Sequence, residues 1–143
     1  MATGRRYDWV DYARLASGAL CLAAGIAKAF PRIEDVAETL RQMAEANEGT
    51  ALAPLSNLIA DNLTAAVWLV AIALAASGLA FLFNRFVVPA ALGQLVMFSL
   101  FMTLLFRFQP AIIAIDLPFI AVDLLVLQRA FQRRHGLGSA QKC

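Results

Sequence analysis

Apolar residues run almost unbroken through four stretches of this chain, 13–30, 65–83, 87–106 and 108–127. Each is close to the ~20 residues with which one helix crosses a hydrocarbon core. Between the first two the pattern changes. Ile33, Val36, Leu40 and Met43 recur at helical spacing, while Glu34, Glu38, Arg41 and Glu45 take the remaining surface. This predicts an amphipathic helix over 32–47, too polar to span, lying on the membrane or on the bundle. Glu48-Gly49-Thr50 ends it. Over 51–63 the pattern is open, with Pro54 able to start a short helix and Asp61 or Asn62 able to cap the next span. Pro89 falls in the first turn of the third span, where it is tolerated. Arg107 closes that span and Gln109-Pro110 opens the fourth. The tail, 128–143, reads as basic and frayed beyond Arg134. The predicted fold is all-α: a single polytopic membrane domain over 1–143, built as a four-transmembrane-helix bundle with the amphipathic segment between spans 1 and 2.

Composition strengthens this picture. Of 143 residues, 61% are hydrophobic and 15% charged, with a mean hydropathy of +0.69. Soluble domains lie nearer half apolar and about a quarter charged. Four spans leave no room for a soluble catalytic domain beside them. A net charge of +2 gives no basic field for nucleic acid. The cysteines, Cys21 in the first span and Cys143 in the tail, belong at different depths and form no C-x-x-C. With His135 the single histidine, a haem held by two histidines is excluded. Metal-ligand spacings are absent. Arg5-Arg6 lacks the flanks of a twin-arginine signal, so the N-terminus is expected to be retained. Tyr7, Trp9 and Tyr12 read as interfacial anchors.

Charge sets the orientation. Four spans place Arg5, Arg6, Arg14, Arg85, Arg129, Arg133, Arg134 and Lys142 on one side, and Lys28, Arg32, Arg41 and Arg107 on the other. The positive-inside bias then puts both termini in the cytoplasm, in a cell inner (plasma) membrane.

The candidate chemistry lies in two stripes. Asp116 and Asp123 are seven residues apart inside the fourth span, so they share one helix face about 10 Å apart along the axis. Gln109 extends that stripe. Arg14, Cys21 and Lys28 are likewise spaced by seven on the first span, with Gly18 and Gly25 on the same face for close helix approach. If these two helices are antiparallel at matched depth, Arg14 faces Asp123, Cys21 faces Asp116 and Lys28 faces Gln109, with offsets of ~3 Å. A lone Asp at mid-span costs about 2.5–3.5 kcal/mol, so both acids require compensation. Arg14 is the expected partner of Asp123; Asp116 has no evident cation at its depth and is expected either to be protonated or to be served by water, Gln94 or Lys28 reaching inward. Pro118, between the acids, removes one helix hydrogen bond and is expected to kink the span beside a binding pocket. Plain alternatives stand beside these readings. Arg14 with Asp123 is equally a pair that fixes helix register, Asp116 a buried hydrogen-bonded acid, and Cys21 simple packing. Phe98, Phe101 and Phe106 read as core or lipid-facing.

RLASGALCLAAGIAK, residues 14–28, with Arg14, Gly18, Gly25 and Lys28, resembles the first helix of DoxX-like membrane proteins. SGLAFLFNRF, residues 77–86, is similar to that family's second-span exit, with Arg85 as its basic residue. The resemblance implies a four-helix inner-membrane bundle. It also implies a subunit or assembly partner of a separate protein, with a quinone-linked redox complex as one setting. Family members often carry a Glu in the second span, whereas 65–83 holds no acid; any role of that carboxylate falls here to Asp116 or Asp123. The expected function is therefore a non-catalytic accessory or docking subunit with a membrane or peripheral protein partner. The chain is expected to bind no cofactor of its own, quinone being the one cofactor within reach. The alternative is a small bundle that binds or converts an apolar ligand, with Asp116, Asp123, Gln109 and Gln94 as candidate contacts. No catalytic residue can be named.

Overall fold

A computed structural model describes residues 8–30, 32–33 and 35–140, with side chains described as far as residue 132. Arg5, Arg6, Tyr7, Pro31, Glu34, Lys142 and Cys143 lie outside the described residues, as do the side chains of Arg133, Arg134 and His135. The described residues form six helices and no strand: α1 (Trp9–Ala29), α2 (Val36–Ala46), α3 (Ala53–Asp61), α4 (Leu63–Phe83), α5 (Val87–Leu105) and α6 (Ile112–Ala140). α1, α4 and α5 are long and apolar enough to cross a membrane. α6 matches them in length, but its first eighteen residues hold Asp116, Asp123 and Arg129.

Local chemistry sets the helix ends. Asp8 caps α1, its carboxylate accepting from the backbone of Trp9 at 2.7 Å, while the Asp11 side chain accepts from the Asp8 backbone at 3.3 Å. This reciprocal arrangement satisfies N–H groups that a helix start leaves unpaired. Asp35 does the same for α2 by accepting from the Glu38 backbone at 3.0 Å. Pro54 sits at the start of α3, where its missing N–H costs nothing. Neither Asp61 nor Asn62 caps α4 through its side chain; the Asn62 amide turns back to the carbonyl of Leu58 instead. Asn84 ends α4 in the left-handed conformation, at φ 54°.

Two boundaries differ from the sequence reading. The fourth apolar stretch does not become helical until Ile112, because Phe106–Ala111 form turns around Pro110. Gln109 therefore lies exposed in that turn and does not extend a helical stripe with the two acids. At the other end α6 continues to Ala140, so most of the tail expected to fray is helical. Pro118 sits inside α6 without ending it.

The four long helices close a ring, with α1 against α4 and α6, and α5 against α4 and α6. Most of their large outward side chains are apolar, Trp68, Leu69, Ile72, Phe83, Val96 and Leu124 among them. A soluble domain covers such a surface; a bilayer solvates it. Trp9 and Tyr12 are exposed at the start of α1. α2 and α3 lie across one end of the ring. Val36, Leu40 and Met43 are buried there against Leu104 and Leu105 of α5. Ile33, expected on the same apolar face, is 68% exposed because it precedes the helix. Asn47 fastens this cover. It is fully buried, and its amide donates to the carbonyls of Met43 at 2.9 Å and Leu104 at 2.8 Å.

Candidate functional site

The glycine face of α1 meets α4. A Cβ built at Gly18 would lie 2.9 Å from Cβ of Phe81, and one at Gly25 would lie 2.8 Å from the carbonyl oxygen of Ala71. Gly78 of α4 is the reciprocal contact: a Cβ built there would lie 2.7 Å from the backbone oxygen of Gly18. Small residues here let two backbones touch, which is where packing energy between membrane helices comes from. Arg14 shares that face and is carried toward α4 with it. Its Nη1 donates to the side-chain oxygen of Asn84.

The expected pairing of Arg14 with Asp123 is therefore not made. Asp123 is 0% exposed, and neither carboxyl oxygen has a hydrogen-bond partner. Lys28, by contrast, lines the same cavity as Asp116. Arg129, near the far end of the described part of α6, donates to Asp8 at 2.7 Å and lies 3.9 Å from Asp11, so the two helices are antiparallel as expected.

Gln94 does not reach Asp116 either. Its amide donates to Sγ of Cys21 at 3.1 Å and to Oγ of Ser77 at 2.9 Å, which ties α5 to α1 and α4 in the middle of the ring. Ser77, Gly78 and Asn84 carry contacts that the reading of isolated spans did not assign. The available signal was the cluster of small and polar residues in 77–86.

Lys28, Gln109 and Asp116 do come together around one cavity. It measures about 360 Å³ and lies between α1, α2, α4, α5 and α6. Its walls are mainly apolar, formed by residues such as Leu40, Leu74, Phe98, Phe101, Ile112 and Phe119. The Phe98 and Phe119 rings stack with centroids 5.4 Å apart. Thr39, Lys28, Gln109 and Asp116 supply the polar side chains. Asp116 is 4% exposed, and its Oδ2 is buried without a hydrogen-bond partner. Asp123 and Gln94 do not line this cavity. Among the described residues no three His, Cys, Asp or Glu side chains gather as a metal site.

This helical, largely apolar chain matches a known family model over residues 13–142. The chain belongs to that family, a family of unknown function (DUF6041). It is also 33% identical over 118 residues to a Serratia sp. (strain ATCC 39006) protein named oxidoreductase PigB. That alignment covers 82% of this chain and 18% of the Serratia protein, so the chain spans less than a fifth of that relative's length. No solved structure matches the chain.

Proposed function

We propose that this chain is a non-catalytic membrane subunit of an oxidoreductase system, built on a DoxX-like plan and serving a quinone-linked redox partner. The observation that carries the reading is the likeness to one segment of an oxidoreductase most of whose length lies outside the aligned part. The chemistry of this chain fits a supporting part. Buried Gln94 hydrogen-bonds to Ser77 and Cys21 across helix contacts, and the largely apolar cavity beside α2 is edged by Thr39, Lys28, Gln109 and Asp116. In this reading α6 is the fourth span, with its acids turned into the ring. Both termini face the cytoplasm, since eight of the twelve Lys and Arg residues then lie on that side. α2 and α3 lie on the opposite side.

Purification of the chain from its native host in a gentle detergent tests the reading. A redox protein is expected to co-elute in constant stoichiometry. Elution at constant yield without any redox protein, from membranes that retain oxidoreductase activity, would overturn it.

A further inference from the structure

The cavity between α1, α2 and α6 is asymmetric. Lys28 lies in the last turn of α1, Gln109 in the turn before α6, and Thr39 on α2, so these three mark the end of the ring that α2 covers. Asp116 lies about one helical turn inside α6, at the boundary between that polar end and the apolar walls. Beyond it the lining is Cys21, Leu74, Phe98 and Phe119. At about 360 Å³ the space falls in the ~300–1,000 Å³ range of small-molecule sites, which combine mainly apolar walls with a few convergent polar groups.

Asp116 specifies what belongs there. A buried carboxyl oxygen with no partner is costly to leave unsatisfied, and a ligand that donates to it removes that cost. Of the other polar groups at this end, Lys28 donates, while the Gln109 amide and the Thr39 hydroxyl can each donate or accept. The simplest ligand group that can donate to Asp116 and also accept from these neighbours does both at one atom. A hydroxyl does so. A cationic group is disfavoured, since it would meet the ammonium of Lys28 in the same cavity.

We propose that this cavity binds a neutral apolar molecule ending in a hydroxyl group, a phenol or an alcohol, whose O–H donates to Oδ2 of Asp116 while its oxygen accepts from Lys28 or Gln109. The apolar body lies against Leu74, Phe98 and Phe119. This site belongs to the single chain and does not rest on the accessory-subunit reading, so the two can fail separately.

The test uses the full chain in phosphatidylcholine nanodiscs with para-hexylphenol and hexylbenzene as probes, following the unfolding midpoint against probe concentration. The phenol is expected to raise the midpoint saturably, with half-saturation at least tenfold lower than for hexylbenzene. Asp116→Asn should weaken the phenol at least tenfold, and Ala24→Leu, which adds bulk to the cavity wall, should remove the shift. Equal shifts from the two probes would mean occupancy by any apolar molecule, bilayer lipid included, and would overturn the proposal. So would an undiminished phenol shift in Ala24→Leu. Should Asp116→Asn fail to fold, the paired probes and Ala24→Leu still decide.

Discussion

Arg14 of α1 donates from its guanidinium to the side chain of Asn84, the left-handed residue that ends α4. One contact thus joins a buried cation, a helix terminus and the turn leading into α5. Asn84 contributes through its side chain and its backbone, and substitutions separate the two. Asn84→Gly removes the hydrogen bond but keeps φ 54° accessible; Asn84→Ala removes the bond and also strains the backbone. Asn84→Ala is expected to cost about 1–2 kcal/mol more than Asn84→Gly. Thermal unfolding of the two variants in one detergent measures the difference. Equal losses would mean that the turn tolerates Ala without strain.

Asp123 is expected to behave unlike a salt-bridge partner. Its carboxyl group is fully buried and unpartnered, so it contributes no pair energy to lose. Asn keeps the shape of the side chain and gives up no ion pair or hydrogen bond. Asp123→Asn should therefore unfold at the same temperature as the parent or higher. A drop equivalent to about 3 kcal/mol, the cost of breaking a buried ion pair, would show that Asp123 has a partner after all.

The α1–α4 contact predicts a contrast among glycines. Gly25→Ala brings a Cβ within 2.7 Å of the Ala75 backbone nitrogen, and Gly78→Ala brings one equally close to the Gly18 oxygen. Backbone cannot move aside as a flexible side-chain tip does, so each should cost about 1–3 kcal/mol. Gly93, inside α5, has open space at the Cβ position. There Ala removes the entropic penalty of a helical glycine, and Gly93→Ala should stabilise by up to about 1 kcal/mol. Unfolding midpoints of the three variants, taken side by side, check the order.

Asn47 offers control of the cavity's cover. Asn47→Ala removes two buried hydrogen bonds and leaves the Leu104 carbonyl short of a donor. The expected loss is about 1–3 kcal/mol, confined to the attachment of α2. Amide hydrogen exchange should speed up in Val36–Ala46 while Leu63–Phe83 stays protected. Uniform acceleration along the chain would instead mean that α2 and the ring unfold together.

Whether α6 crosses the bilayer can be read by labelling. In a Cys143→Ser background, Arg85→Cys and Arg107→Cys are expected to react with a membrane-impermeant maleimide from opposite sides. Residue 132, placed by Gln132→Cys, should react from the side of residue 85. Reaction of 107 and 132 from one side would mean that α6 does not span.

Much of this architecture is legible in the sequence because it depends on neighbours along the chain. Runs of about 20 apolar residues locate α1, α4 and α5 to within a few positions, the 3.6-residue period gives α2 its buried Val36, Leu40 and Met43, and Pro54 marks the start of α3. Seven-residue spacing likewise puts Arg14, Gly18, Gly25 and Lys28 on one face, and Asp116 with Asp123 on another. It does not say which helix each face meets, because a helix can turn about its own axis at little local cost. That choice was made by backbone contact: Gly25 lies against Ala71 and Ala75 of α4, and Gly18 against Gly78 and Phe81 of the same helix. Arg14 went with them to Asn84, Asp123 was left without a hydrogen bond, and Lys28 and Asp116 came to share a cavity that neither helix contains alone.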